Sequence, residues 1–372
     1  MKYGKVADMD REPMTIADLG YDDFFEAARV KTGAEGVVVA RVVAEHRGAY
    51  RVRAVDGEYL AKITGKQAFL ASSRESYPAV GDWVLITVLD AEQATIQSML
   101  PRKTVVRRKY GEHDDVQIIA ANVDVALVIE SADRDYNLNR FERYFAIARD
   151  GGVVPAVIFN KTDLITPEEL DEKLAQMRER FKDIEIIPTS TVTEAGLDRL
   201  RGFMEPGKTY CFLGSSGVGK SSLINALLGG NELRTREIGA SSGRGKHTTT
   251  AREMYWLQGG AIVIDNPGVR EVGVTDVEAG IESLFDEIAT LSSQCRFTDC
   301  GHTQEPGCAV LAALASGALD RGRYAHALSL KKEAGHYALT ALEKKQKSRR
   351  FGKFIQKAKK DLKTYNHKDY AE

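Results

Sequence analysis

A glycine-rich segment that ends in a lysine and a serine carries the clearest chemistry in the chain. It matches the pattern G-x-x-x-x-G-K-[ST] of a phosphate-binding loop at Gly214, Ser215, Ser216, Gly217, Val218, Gly219, Lys220 and Ser221. An apolar run, TYCFL, precedes this phosphate loop, and a helix-forming run, SSLINALL, follows it. We expect backbone N–H groups around the phosphates, with Lys220 at the β- and γ-phosphates, Ser221 on magnesium and Ser222 beside them. A ligand-free strand-to-helix turn is the alternative, but such a turn needs no Gly-Lys-Ser ending.

An acid and a glycine after a later apolar run fit the magnesium side of the same site. The run AIVI leads into Asp265, and Gly268 completes a D-x-x-G pattern. We expect Asp265 to help hold magnesium and the Gly268 N–H to bond the γ-phosphate, although the same residues alone make an ordinary turn. The loop 243–250 ends in three threonines, and Thr249 is the candidate that closes onto magnesium.

A second motif predicts which nucleotide base the site binds. Asn160, Lys161, Thr162 and Asp163 form N-K-x-D after the run VVPAVIF. Asp163 can accept hydrogen bonds from N1–H and N2–H₂ of guanine, a donor pair that adenine lacks. Asn160 would brace this guanine loop, and the Lys161 stem would lie along the base. The motif favours GTP and argues against an ATPase.

A companion loop follows the run IEIIP and contains Ser190. Its backbone N–H groups are expected near guanine O6. Thr191 stands in this loop where GTPases usually have alanine, so the assignment of the loop is weaker than that of the guanine loop.

The order of the motifs indicates a circular permutation. In ordinary GTPases the phosphate loop comes first, then D-x-x-G and then N-K-x-D, but here N-K-x-D precedes the phosphate loop. Permutation is tolerated because the termini of a domain usually lie close together. The chain then leaves the GTPase domain directly after Gly268, so we expect movement of the switch to reach the C-terminal domain.

Three residues are candidates for the catalytic step. Lys220 and Gly268 would act on the phosphates, but the residue after D-x-x-G, a glutamine in Ras-like enzymes, is here Val269. Slow intrinsic turnover is expected. His247 is the candidate for positioning the attacking water, and a solvated basic loop or a contact with RNA phosphate is the equally weighted alternative.

Three cysteines and a histidine form a compact group near the C-terminal end. Their spacing is Cys295-x4-Cys300-x-His302-x5-Cys308, a full tetrahedral set for structural zinc with no open position for catalysis. A disulfide with one free thiol is less favoured in a cytosolic protein.

The elements around these motifs predict a multidomain protein with all-β and α/β parts. We expect a tail at 1–34 with one short helix, an OB-fold barrel at 35–109, a permuted P-loop GTPase domain at 115–273 with helices on both faces of a parallel sheet, and a helical zinc domain at 276–372. An SH3-like barrel remains possible. The basic residues between Arg102 and Lys109 fit a linker, a phosphate contact or a solvated charge run.

Composition and charge exclude some classes of protein. A net charge of −1 excludes a uniformly basic nucleic-acid coat, but residues 341–372 carry eleven Lys/Arg against four Asp/Glu and form a basic arm. No apolar run approaches the roughly 20 residues of a membrane span, and the start has no apolar signal core. We therefore expect a cytoplasmic protein with no membrane partner.

Together these features resemble the RsgA (YjeQ/YloQ) family of circularly permuted GTPases. The likeness runs from about residue 36 to 360 and includes the segments NRFERYFAIARDGGVVPAVIFNKTDL and CRFTDCGHTQEPGCAV. It implies a monomeric cytoplasmic GTPase that uses Mg²⁺ with GTP or GDP and one structural Zn²⁺. It also implies binding to the 30S ribosomal subunit and 16S rRNA in late subunit maturation, with hydrolysis stimulated by the subunit. An RNA-binding module with nucleotide as a structural ligand only is the second hypothesis.

Overall fold

The structure is a computed structural model of the 372-residue chain. It describes residues 14–46, 48–65, 74–109, 116–133, 136–229, 252–265 and 278–334. The chain divides into two compact units, Met1–Gly273 and Val274–Glu372. No helix within the described ranges is both long and apolar enough to cross a membrane.

Five strands of the first unit close into a small barrel. They are β1 (Val38–His46), β2 (Ala49–Arg53), β3 (Glu58–Ile63), β4 (Trp83–Val88) and β5 (Gln93–Met99). The strands pair in the order β1-β2-β3-β5-β4, β1 also pairs with β4, and β3 runs parallel to β5. This arrangement is that of an OB barrel, so the structure confirms the OB prediction over the SH3-like alternative.

The segment before the barrel is packed, which differs from the expected tail. Helix α1 spans Asp23–Thr32, and the carboxylate of Asp22 caps it by accepting a hydrogen bond from the Phe24 N–H at 3.1 Å. Phe25 is buried in one apolar cluster with Trp83 of β4. The sequence here alternates acidic and apolar residues without a clear helical period. The burial of Phe25 could therefore not be predicted from periodicity.

The described residues of the basic stretch between Arg102 and Lys109 form a strand and an ion pair of the fold. Strand β6 (Val105–Lys109) pairs antiparallel with β7 (Val116–Ala121), which corrects the expectation of a linker. Arg102 forms a bidentate ion pair with the buried Asp82, at 2.8 and 2.7 Å, so this arginine serves the barrel rather than a phosphate.

The α/β part of the first unit has the predicted parallel sheet. Its strands are β8 (Val125–Ser131), β9 (Val154–Asn160), β10 (Ile186–Pro188), β11 (Thr209–Leu213), β12 (Glu253–Trp256) and β13 (Ile262–Asp265). Its helices are α2 (Leu138–Asp150), α3 (Pro167–Arg180), α4 (Leu197–Phe203) and α5 (Lys220–Leu228). The order β10-β9-β8-β11-β13 is parallel throughout, and β12 adds an antiparallel strand that also pairs with β1. The barrel and the α/β part therefore share one continuous sheet.

Local signals explain where the crossover helices begin. Thr166 and Glu169 form a reciprocal capping box at the start of α3, with Pro167 in the first turn. The Asn137 side chain accepts hydrogen bonds from two N–H groups at the start of α2. The two caps lie in the loops that follow β8 and β9, so each helix begins a few residues after the end of a strand.

The second unit consists of short helices. They are α6 (Glu278–Leu284), α7 (Asp286–Ser292) and α8 (Ala309–Ser316), and residues 321–334 are also helical. Arg323 joins two of them, because its Nε lies 2.5 Å from Glu287 Oε1 and its Nη2 lies 3.3 Å from the Leu284 carbonyl oxygen.

A fully buried arginine joins the barrel to the α/β part. Arg41 of β1 donates hydrogen bonds to the carbonyl oxygens of Leu19 (2.6 Å), Gly81 (3.3 Å) and Asn122 (3.1 Å), and to Thr209 Oγ1 (2.9 Å). Burial lowers the pKa of Arg41 to about 10, which leaves the guanidinium charged at neutral pH. One side chain thus satisfies acceptors from the N-terminal segment, the barrel and strand β11.

Replacing this arginine should weaken the first unit strongly. Arg41→Met leaves buried acceptors without donors, so we expect the free energy of unfolding to fall by about 3 kcal/mol. Arg51→Met is the control: this arginine of β2 is partly exposed, and we expect less than about 1 kcal/mol. Urea unfolding followed by tryptophan fluorescence measures both, because the two tryptophans, Trp83 and Trp256, lie in this unit. Equal losses in the two variants would contradict the role of Arg41.

Candidate nucleotide site and metal centre

The predicted nucleotide motifs meet at one edge of the parallel sheet. Ser131 of β8 is in register with Asn160 of β9, and Phe159 is in register with Pro188 of β10. Strands β11 and β13 are in register at Cys211 and Ile264. The phosphate loop, the guanine loop, the Ser190 loop and Asp265 therefore all lie at the carboxyl ends of neighbouring strands, where α/β sheets bind their ligands.

The amide of Asn160 ties three of these loops together. It is buried, its Nδ2 donates to the Val218 carbonyl oxygen of the phosphate loop at 2.8 Å, and its Oδ1 accepts from Thr189 Oγ1 at 3.0 Å. The predicted bracing role of Asn160 corresponds to this pair of bonds. Thr189 was not singled out from the sequence, although its place directly after a strand was visible.

The carboxylate of Asp163 is held within the guanine loop. Ser190 Oγ donates to Asp163 Oδ1 at 2.5 Å, and the N–H groups of Val192 and Thr193 donate to Ser190 Oγ at 3.1 and 3.2 Å. Thr162 donates through both its N–H and its hydroxyl to the Thr189 carbonyl oxygen. The Ser190 loop thus orients the acid predicted to read guanine, which is a side-chain role in addition to the backbone role expected.

Glycine is required where the phosphate loop approaches its neighbours. A Cβ on Gly214 would lie 2.3 Å from the Ile129 carbonyl oxygen, and one on Gly219 would lie 2.4 Å from Asn160 Nδ2. Gly219 also has φ +97°, in the left-handed region. The loop can therefore lie directly on β8 and on the Asn160 amide.

Lys220 and Asp265 form the charged part of the site. Lys220 begins α5, and its Nζ donates to the carbonyl oxygens of Gly214 and Ser215, both at 2.7 Å. Burial lowers the pKa of Lys220 to about 8, against the opposing effect of Asp265 and Glu130, and burial raises the pKa of Asp265 to about 6. Oxygen ligands such as Asp265 and the Ser221 hydroxyl are those that magnesium prefers.

Two contacts beside the phosphate loop were not predicted. Burial raises the pKa of Tyr144 on α2, and the neighbouring Ser215 side chain opposes this shift. The buried Glu130 near the end of β8 accepts a hydrogen bond from Arg140 Nη1 at 3.1 Å. Both depend on where α2 packs, so no motif in the sequence could have found them.

The four predicted metal ligands converge in the second unit. The ligand atoms of Cys295, Cys300, His302 and Cys308 all lie within 4.8 Å of one another. Cys295 Sγ lies 3.8 Å from Cys308 Sγ, and His302 Nδ1 lies 3.6 and 3.5 Å from these two sulfurs. A tetrahedral zinc ion with bonds of about 2.3 Å to sulfur and about 2.0 Å to nitrogen separates its ligands by about 3.8 Å and about 3.5 Å respectively. The residues present therefore fit a zinc ion.

Backbone donors surround two sulfurs of this cluster, and they favour the thiolate form of one of them, Cys295, whereas burial raises the pKa of Cys300 to about 11. The Leu311 N–H, in the first turn of α8, donates to Cys308 Sγ at 3.4 Å. Burial disfavours the Cys295 thiolate, but hydrogen bonds from the N–H groups of Ala309 and Val310 stabilise it, and its pKa is lowered overall. Thiolates are the form of cysteine that binds metal.

Three predicted residues are not tested by this geometry. Gly268, Thr249 and His247 lie outside the described residues.

The buried carboxylate of Asp265 should destabilise the empty site. In protein free of nucleotide and magnesium, its pKa is raised from 3.8 to about 6, so the folded state loses stability as the pH rises through this interval. We expect Asp265→Asn to raise the free energy of unfolding by about 2 kcal/mol at pH 8 and to have little effect near pH 4. Denaturant titrations at both pH values measure this, with Asp171→Asn on the exposed side of α3 as the control. A gain that is independent of pH would refute the electrostatic explanation.

Comparison with known proteins places the chain in a family. The RsgA GTPase family model matches residues 99–275. The small ribosomal subunit biogenesis GTPase RsgA 2 of Lactiplantibacillus plantarum is 39% identical over 340 residues, covering 91% of this chain and 95% of that protein. The corresponding RsgA protein of Opitutus terrae is 40% identical over 336 residues, covering 87% and 91%.

Solved structures agree with the fold. YjeQ from Thermotoga maritima has a TM-score of 0.60 at 25% identity and covers 80% of this chain and 98% of its own. YloQ, described as a circularly permuted GTPase, has a TM-score of 0.58 at 24% identity and covers 81% and 96%, which supports the fold alone. Given the identity to these relatives along most of its length, the chain belongs to the RsgA GTPase family of GTP-hydrolysing enzymes.

Proposed function

We propose that this protein hydrolyses GTP on the 30S ribosomal subunit and acts late in small-subunit maturation, in contact with 16S rRNA. The observation that carries the proposal is the Asn160 amide, which joins the guanine loop to the phosphate loop. A site for base and polyphosphate together is what a GTPase needs. The names of the relatives, which place those proteins in small-subunit biogenesis, support the ribosomal part.

Different residues would bind the guanine base, the phosphates and the magnesium ion. Asp163 would accept from guanine, oriented by Ser190, and the phosphate loop with Lys220 would bind the polyphosphate. Ser221, Asp265 and Thr249 would hold the Mg²⁺ that neutralises phosphate charge.

Hydrolysis then depends on groups brought in by the switch. Val269 has no hydrogen-bonding side chain, so His247 is proposed to orient the attacking water, while Lys220 and the Gly268 N–H stabilise charge on the transferred phosphoryl group. An arrangement completed only on the subunit gives slow intrinsic turnover and stimulated turnover after docking.

The other parts of the chain supply docking and rigidity. The segment 341–372 is basic, as rRNA phosphate contacts require. Cys295, Cys300, His302 and Cys308 would hold a structural zinc ion that stabilises the short helices of the second unit. We propose a cytoplasmic monomer.

Turnover measured with and without purified 30S subunits tests the proposal. We expect Mg²⁺-dependent phosphate release from GTP, not ATP, with the rate raised about a hundredfold by the subunit, the effect expected when one catalytic group is brought into place. High salt should suppress the stimulation, because phosphate contacts drive docking. Binding of GTP without any turnover would favour the RNA-binding module instead.

Base selection has a separate test. Asp163→Asn replaces one acceptor by a donor that suits the extra carbonyl of xanthine, so we expect GTP affinity to fall about a hundredfold and XTP affinity to rise. Nucleotide titrations of both proteins measure this, with Asp171→Asn as the control for loss of one surface charge. An unchanged preference for GTP would remove Asp163 from base recognition.

A further inference from the structure

The imidazole of His302 presents its two nitrogens to different partners. Nδ1 lies 3.5 Å from Cys308 Sγ and 3.6 Å from Cys295 Sγ, on the side of the cluster. Nε2 lies 2.9 Å from the hydroxyl oxygen of Ser292, at the end of α7. A neutral imidazole carries one N–H and one lone pair, so the partner of Nε2 decides which nitrogen can bind a metal.

The hydroxyl of Ser292 can only accept from this ring. Its own hydrogen is directed to the Ile288 carbonyl oxygen, one helical turn earlier, at 2.6 Å. The oxygen therefore offers a lone pair to Nε2, and the 2.9 Å contact is an Nε2–H donation. The Nδ1 lone pair is then left facing the sulfurs.

The backbone of His302 keeps the ring in this place. His302 has φ +58°, in the left-handed region, and its carbonyl oxygen accepts from the Tyr324 hydroxyl at 2.5 Å. On either side, the N–H groups of Gly301 and Thr303 donate to the carboxylate of Glu305 at 2.9 and 2.8 Å. The ring is thus presented from a loop that is fixed independently of Ser292.

We infer that Ser292 is a positioning residue of the metal centre: it holds His302 in the Nε2–H tautomer, so that the ligand atom is Nδ1. The inference rests on the proposed zinc site and adds the choice of nitrogen to it. Loss of such a hydrogen bond to a ligating histidine weakens metal binding by about 10- to 100-fold.

The neighbouring serine provides a matched control. Ser293 is exposed, and its hydroxyl also donates to a carbonyl oxygen of its own helix, that of Thr290, at 2.7 Å. Ser293→Ala removes the same kind of bond one residue away. Ser292→Thr keeps a hydroxyl at the position and tests rescue.

The experiment is chelator competition for zinc with the full chain, together with long-range ¹H–¹⁵N spectra of the histidine rings. We expect one tightly bound zinc ion in the natural protein, an affinity about 10- to 100-fold lower in Ser292→Ala, and affinities within about twofold in Ser293→Ala and Ser292→Thr. The His302 spectrum should show a metal-bound Nδ1 and a protonated Nε2. Guanine-nucleotide binding should be the same in all variants.

The outcomes separate the inference from the zinc proposal. Absence of tightly bound zinc in the natural protein overturns the zinc site and the inference with it. Zinc bound with equal affinity in Ser292→Ala and Ser293→Ala overturns the inference alone. Should Ser292→Ala fail to fold, the spectrum of the natural protein decides, because coordination through Nε2 would overturn the role of Ser292.

Discussion

The nucleotide site depends on one buried amide, that of Asn160. Its two polar groups are used by two different loops, the Val218 carbonyl on one side and the Thr189 hydroxyl on the other. These partners come from strands that are distant in the chain, so the bonds form only when the parallel sheet is complete. A circular permutation changes the order in which strands are connected but not their neighbours, so the same amide can join these loops in either order.

A second buried group extends this framework to the barrel. Arg41 reaches Thr209 at the start of β11, the strand that leads into the phosphate loop, and β12 pairs with both β1 and β13. The barrel is thus attached to the two strands that end at the phosphate loop and at Asp265. A displacement of the barrel would therefore move the strands that carry the phosphate loop and Asp265.

The sequence predicted what is local in the chain. The phosphate loop, N-K-x-D and the cysteine spacing are short motifs, and each of them is visible in a continuous stretch of the chain. The contacts of Arg41, Tyr144 and Arg102 join residues far apart in sequence, and their types alone read as surface charge or ordinary core. The pairing of β6 with β7 was missed for the same reason, because its basic residues suggested solvent.

The proposed metal centre also has a feature that the sequence does not predict, namely which nitrogen of His302 carries the hydrogen atom. Spacing predicts four candidate ligands, but it does not say which nitrogen of His302 faces the sulfurs. That choice follows from Ser292, whose hydroxyl is already committed to a carbonyl of its own helix. A serine three residues before a cysteine carries no recognisable meaning in a sequence, and it acquires one only when α7 ends beside the ring. The short helices of this unit do bury apolar side chains, among them Ile281, Phe285 and Val310, but apolar contacts do not choose between the two nitrogens of a ring. That choice requires a directional polar bond, which the Ser292 hydroxyl supplies.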